Sequence, residues 1–310
     1  MFNTPILFIV FNRFEKTKKV FGAIKKIKPT TLYIAADGPR TVNTEEEYEC
    51  KKIRKYLLKN INWRCEVKTL FRKKNLGCKK AVSTAITWFF KNVEEGIVIE
   101  DDCLPNTSFF LFCSKMLKKY RYDTRIMLIS GNNFQFGQKR GSGSYYFSKL
   151  CSIWGWASWK RVWQHYDVNL GLFPKFVKEK TINNIFNHWL ERVFWLTIFD
   201  NLYRGKGDTW DHQLAFLIWS QNGLTIVPNK NLVSNIGFDK DSSRTSDTNS
   251  ILSNIKTEAI NNIIDPLFVV QDKEADWYTF KRVYIPMINL RNLIQSLLEY
   301  LRKKTKCFPD

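Results

Sequence analysis

Gly96-Ile97-Val98-Ile99-Glu100-Asp101-Asp102 is the stretch on which the fold turns. Its first four residues are a short, β-branched apolar run, the pattern of a parallel strand buried on both faces. Three carboxylates follow at once. In an open α/β sheet the carboxyl ends of the strands face the crevice where ligands bind, so a strand that ends in acids puts them in that crevice. Clustered carboxylates repel one another and are costly to desolvate. A hard divalent cation bridging the phosphates of a nucleotide would offset both costs. A bare acidic triplet is also compatible with a solvated turn, so the surrounding chain has to decide.

On either side of the triplet, strand and helix patterns alternate. Strand-like runs cover Ile6–Phe11, Leu32–Ala36, Glu66–Phe71, Gly96–Ile99 and Ile126–Ser130. Helical periodicity covers Glu15–Ile27, Glu45–Leu58, Lys79–Asn92 and Ser108–Tyr120. This order predicts βαβ units and a Rossmann-like, mostly parallel central sheet flanked by helices, with right-handed crossovers. Two phosphate-binding devices are missing, GxGxxG after the first strand and GxxxxGK[ST] anywhere. A dinucleotide dehydrogenase and a Walker-type hydrolase are therefore disfavoured. A nucleotide would be held instead by carboxylates, a metal and basic side chains, with Arg13 and Lys79 the basic candidates.

The 310 residues carry 49 Lys plus Arg against 29 Asp plus Glu, a formal charge of +20. Such an excess implies an anionic partner, which charge alone leaves open among nucleic acid, anionic lipid and a phosphate-bearing substrate. The seven cysteines show no CxxC pair or zinc spacing, the pattern of reduced thiols in a cytoplasmic protein. The beginning of the chain reads as a first buried strand rather than a secretory leader. No apolar stretch approaches the roughly 18–20 residues that span a bilayer.

The second half is rich in tryptophan, with Trp154, Trp156, Trp159 and Trp163 close together and Trp189, Trp195, Trp210 and Trp219 later. These rings are expected either in the core or lining a sugar or lipid-acceptor cleft. Phe238–Ser250 reads as a polar loop. Leu290, Leu293, Ile294, Leu297, Leu298 and Leu301 share one helical face flanked by Arg291, Arg302, Lys303 and Lys304. This predicts an amphipathic C-terminal helix, either docked on the domain or acting as a peripheral anchor on anionic lipid. The expected organisation is a catalytic domain over 1–280, divided into a nucleotide-binding half (1–135) and an acceptor-binding half (136–280), followed by the basic tail 281–310.

Four segments converge on one expected site. Asp37 ends a strand before a Gly-Pro turn and is placed to meet a base or ribose. Arg72–Lys80 carries a glycine between a strand and a helix, so helix N–H groups and basic side chains, Lys79 among them, would meet an anion. Glu100-Asp101-Asp102 is the third segment. In the fourth, Gly207–His212, Asp211 beside Trp210 is a candidate general base, and His212 is a second base or a metal ligand.

Together, Gly96–Asp102 with Ser108-Phe109-Phe110, Ser130-Gly131-Asn132-Asn133, Gly155-Trp156 and Trp210-Asp211 resemble GT-A-fold nucleotide-sugar glycosyltransferases. The likeness is to the bacterial glycosyltransferases labelled hemolytic-protein-like and, more distantly, to the N-acetylglucosaminyltransferase I family. The blocks match in order from about residue 5 to residue 245. The resemblance implies that Asp102 ligates Mn2+ or Mg2+ on the donor diphosphate, while Asp101 and Glu100 position ribose and metal-bound water. It further implies that Asp37 contacts the nucleoside, Trp156 helps form the donor-sugar and acceptor floor, and Asp211 deprotonates the acceptor hydroxyl. The donor is a nucleotide-sugar, with a UDP-sugar expected. The acceptor is a glycan or lipid-linked hydroxyl in surface polysaccharide synthesis, and transfer proceeds with inversion. His212 stands where the distant family carries a second acid, which leaves the identity of the base open. A sugar-phosphate nucleotidyltransferase is the alternative enzyme. A nucleic-acid-binding module is least favoured, because the tryptophans lie apart from the lysine runs.

Overall fold

The computed structural model describes residues 1–40, 44–238 and 250–287. The first half runs β1 (Ile6–Val10), α1 (Phe14–Ile27), β2 (Thr31–Ala36), α2 (Thr44–Asn60), β3 (Glu66–Phe71), α3 (Gly77–Asn92), β4 (Glu95–Glu100), β5 (Cys103–Pro105), α4 (Thr107–Lys119) and β6 (Ile126–Ser130). The second half adds β7 (Tyr145–Ser148), β8 (Trp156–Trp159), α5 (Lys160–Trp163), α6 (Phe173–Lys178), α7 (Trp189–Tyr203), α8 (Asp211–Ser220), β9 (Leu224–Pro228), β10 (Val233–Asn235) and α9 (Lys273–Thr279). The predicted helix over Leu290–Leu301 and most of the Phe238–Ser250 loop lie outside the described residues. No helix among the described residues is long and apolar enough to cross a membrane.

The architecture is α/β, with one eight-stranded, mostly parallel sheet of order β3-β2-β1-β4-β8-β6-β9-β7 flanked by helices. β3, β2, β1 and β4 run parallel, each joined to the next in sequence by a helix. β8 enters against the direction of its neighbours, between β4 and β6, with Val98 opposite Trp156 and Ser130 also opposite Trp156. β7 closes the far edge antiparallel to β9. Every residue of β1, β6, β8 and β9 is buried, as the continuous apolar runs of a two-sided sheet require.

The helices form for local reasons. α1 buries Thr17, Val20, Phe21 and Ile24, one face at three- and four-residue spacing. It ends at Lys28, which adopts a left-handed conformation (φ 48°) with its N–H on the Lys25 carbonyl, directly before Pro29. α4 is capped by Asn106, whose side-chain oxygen accepts from the Ser108 N–H at 3.0 Å.

The tryptophans are mostly core. Trp156, Trp159, Trp163, Trp195, Trp210 and Trp219 are all buried, whereas Trp189 is exposed. Those six present no face to a cleft, so the expectation that the cluster lines an acceptor groove is not met by them. Instead they build the second half of the core. Trp195 meets Trp219 edge-on at 4.9 Å, and Phe280 and Tyr284 pack on Phe194.

Buried acids join α9 to this half. Asp276 accepts hydrogen bonds from the Lys149 N–H (2.9 Å), Gln271 Nε2 (2.8 Å) and the Ser148 hydroxyl. Glu191, in the first turn of α7, shares with Asp276 a cavity of about 50 Å³ also lined by His188, Gln271, Lys273 and Glu274. Burial, and then Asp276, pushes the Glu191 carboxyl up to about 7. Burial pushes Asp276 up to about 6 against the hydrogen bonds that stabilise its anion. Both folded values exceed the unfolded ones. The pair therefore costs nothing below roughly pH 4 and progressively destabilises the fold as pH rises through 6 and 7. Glu191→Gln is expected to raise the melting temperature at pH 8 and to leave it unchanged at about pH 4. A Tm lowered equally at both pH values would refute this.

Candidate active site

The carboxyl ends of β1, β2, β3 and β4 open on one edge of the sheet, and the predicted acids sit there. Asp101, only 2% exposed, accepts from the Phe11 N–H at 3.2 Å and from Arg13 Nη2. Asp102 accepts from Arg13 Nη1 at 2.9 Å and, through its other oxygen, from the Cys103 thiol at 3.4 Å. Arg13 thus bridges two consecutive carboxylates from the chain just past β1. Burial alone would lower its pKa, but Asp101 and Asp102 together hold it well above the ordinary arginine value. Glu100, half-buried, is held above the usual carboxylate range by burial, then by Asp102 and Asp101, with Arg13 opposing and Asp211 adding to the rise.

Removing Arg13 leaves one buried and one partly exposed negative charge side by side, a change that costs up to about 3–5 kcal/mol. Arg13→Met is therefore expected to lower the urea midpoint by that equivalent at pH 7. A loss below about 1 kcal/mol would mean that solvent already screens the pair.

Asp211 reaches the same corner from the second half. Trp210 stacks on Trp156 at 5.9 Å and 28°, and its carbonyl accepts from the Tyr166 hydroxyl at 2.9 Å. Trp156 lies opposite Val98 of β4, so the ring pair ties the start of α8 to the strand that carries the acids. Asp211 opens α8, where a carboxylate is favoured by the helix dipole, and accepts a hydrogen bond from the Thr209 hydroxyl. Trp156 itself is 1% exposed and packs near Phe90 and Trp163, beneath the site rather than in its floor. Its expected contact with donor sugar and acceptor gives way to a supporting role. His212, half-buried, faces the edge of Trp195 at 6.0 Å.

Asp37 and the 72–80 segment form a second cluster. Both Asp37 oxygens accept from the Leu76 N–H, at 3.2 and 3.0 Å, and Asn75 Nδ2 donates to the Gly38 carbonyl at 2.9 Å. A Cβ on Gly38 would lie 2.4 Å from the Lys74 carbonyl carbon, so only glycine permits this approach. Burial raises the Asp37 pKa against the Leu76 hydrogen bond. The N-terminus of α3, expected to meet a ligand anion, meets the chain's own: Asp208 accepts from the N–H groups of Cys78 (3.0 Å) and Lys79 (2.8 Å). The Lys79 backbone is thereby engaged by a carboxylate rather than left open for phosphate. Asp208 lies in the Gly207–His212 segment, where the sequence gives it no role of its own.

One further wall was not foreseen. β10 pairs antiparallel with β5, placing Asn235 opposite Cys103, and the Ile236 N–H donates to the Asp102 carbonyl at 2.8 Å. A Cβ on Gly237 would stand 2.5 Å from Asp102 Oδ2. The return of a distant segment onto β5 leaves no local periodicity to detect.

The corner holds hard oxygen donors and one fixed cation. Among the described residues no cluster of three or more His, Cys, Asp and Glu is arranged to enclose a metal. Asp101 is spent on Arg13 and Phe11, while the Asp102 carboxyl remains partly accessible. This fits a Mg2+- or Mn2+-type ion that takes one protein carboxylate and draws its other ligands from phosphate and water.

No family model matches the chain, and no curated protein sequence matches it. Several solved structures share part of the arrangement at low identity. The mannosyltransferase PcManGT from Pyrobaculum calidifontis, in complex with GDP-Man and Mn2+, is 10% identical over 52% of this chain and 46% of that one, with a TM-score of 0.35. The 4-diphosphocytidyl-2C-methyl-D-erythritolsynthase of Anaerococcus prevotii is 7% identical over 72% and 87%, with a TM-score of 0.37. S. aureus TarS 1-349 is 11% identical over 65% and 72%, also at 0.37. At TM-scores below 0.5 these likenesses carry no argument about the chemistry of this chain.

Proposed function

We propose that the chain is a metal-dependent glycosyltransferase of the GT-A kind, moving a sugar with inversion from a nucleoside-diphosphate donor to a hydroxyl of a glycan or lipid-linked acceptor. A UDP-sugar is the expected donor. The observation that carries this reading is the carboxylate–arginine corner at the ends of β1 and β4, with Asp211 within electrostatic reach of Glu100. Asp102 would hold the divalent ion, which when bound neutralises charge on the departing diphosphate. Arg13 fixes the direction of Asp102, and Asp101 anchors the turn through the Phe11 N–H. Asp211 accepts the proton of the attacking hydroxyl, with His212 as the second candidate. Asp37 retains lone pairs for a nucleoside beyond those given to Leu76.

The test is a product assay on the purified full chain with a panel of nucleotide-sugars and Mn2+. The reading expects one donor to release nucleoside diphosphate and to stabilise the fold only when metal is present, by roughly 2.7 kcal/mol at a hundredfold excess over Kd. Pyrophosphate release from a nucleoside triphosphate and a sugar phosphate would identify nucleotidyl transfer instead.

A further inference from the structure

The segment 264–270 runs beside β7 with most of its apolar side chains turned to solvent, while Val269 packs on the core. Ile264, Leu267, Phe268 and Val270 are exposed, as are Leu111 on the outer face of α4 and Tyr122 in the turn beyond it, all six between 60% and 88%. Isolated exposed apolar residues are ordinary, but this many in one place mark a contact surface.

The exposure is built into the fold. The Ser144 N–H donates to the Ile264 carbonyl at 2.7 Å, and the Ile264 N–H donates to Ser144 Oγ at 2.9 Å. The Tyr145 hydroxyl donates to Asp265 at 2.8 Å, and the Asp272 N–H donates to the Phe147 carbonyl at 2.8 Å. A Cβ on Gly143 would come within 2.9 Å of Pro266, so strap and edge strand are in close contact. The segment is pinned at both ends, at Ile264 and at Asp272.

Lysines flank it on the α4 side. Leu111, Lys115 and Lys118 follow one another at helical spacing on the solvent side of α4, and Tyr122 stands in the turn after it. Lys119 pairs with Asp265 at 2.5 Å, which brings this face against the strap. Lys118 is in no ion pair among the described residues. Beyond the strap, Lys273 and Glu274 offset each other in charge, and Asp272 caps α9 by accepting from the Ala275 N–H.

We propose that the strap 264–270 and the outer face of α4 form a surface that docks on an anionic lipid bilayer, Leu267 and Phe268 entering the interface while Lys115 and Lys118 meet the headgroups. Protruding apolar side chains with lysines along one flank match a soft, negatively charged acceptor better than a rigid protein groove. An exposed tyrosine at the rim suits the headgroup level. The inference is independent of the chemistry proposed for the active site.

The test is co-sedimentation of the full chain with phosphatidylcholine vesicles, with and without about a third phosphatidylglycerol. Binding is expected only with the anionic lipid, to weaken with salt, and to fall at least about tenfold in Leu267→Asp/Phe268→Asp with no change in melting temperature. Phe268→Trp should gain emission that brominated lipid quenches beyond the parent's. Failure of the parent to bind, or equal binding by the double variant, overturns the proposal. A double variant that changes oligomeric state in light scattering while keeping its lipid binding would mark a protein-contact surface instead.

Discussion

Asp102→Asn is expected to give a folded protein whose metal-dependent release of nucleoside diphosphate is lost, by at least about 10²–10³-fold. Asparagine keeps the size of the side chain and an oxygen that accepts from Arg13 Nη1, so the turn after β4 and its packing against Gly237 survive. Arg13 retains Asp101, and no buried cation is stranded. What disappears is one negative charge at the more accessible carboxylate of the pair. The readout is nucleotide release against metal concentration, beside a melting curve close to wild type. Full turnover would remove Asp102 from metal binding, and with it the proposed chemistry.

For Asp211→Asn the expected pattern is different. Donor affinity stays near wild type, while transfer to acceptor falls by about 10²–10⁴-fold. The amide oxygen can still accept from the Thr209 hydroxyl, and the Trp210–Trp156 stack that positions the start of α8 is untouched. The residue thus keeps its place and loses only its basicity. Separate measurement of donor binding and single-turnover transfer distinguishes this from a folding defect. Weakened binding with normal transfer would exclude Asp211 as the base. A larger loss from His212→Gln, whose ring faces Trp195, would move the role to that side chain.

The first half was legible because its signals are local. Glu66–Phe71 and Ile126–Ser130 appear with the boundaries their alternation and composition predict, and α1–α4 start and stop within two residues of theirs. The acidic triplet lands at the expected sheet edge for the same reason. What stayed hidden depends on contacts distant in sequence. β8 is four residues of a tryptophan-rich run whose strand character exists only between β4 and β6. The same placement turns Trp156 from a supposed cleft residue into core. Arg13 was legible as a basic candidate, but its bridge to both aspartates needs the β1–β4 pairing to bring residues 13 and 101 together. Asp208 lies within Gly207–His212 without a local signal of its own; that it occupies the start of α3, some 130 residues earlier, follows from the tertiary fold alone.

The reversed insertion of β8 also bears on biosynthesis. Until residues 156–159 emerge from the ribosome, the outer edge of β4 has no neighbour, and β6 cannot take its final place across the gap. About sixty residues separate the two segments, so at about 5–20 residues per second a nascent chain carries that bare edge for several seconds. An unpaired, apolar strand edge invites pairing with other chains. Slow decoding over this interval should therefore favour aggregation, and a chaperone occupying the edge should raise the yield of native protein.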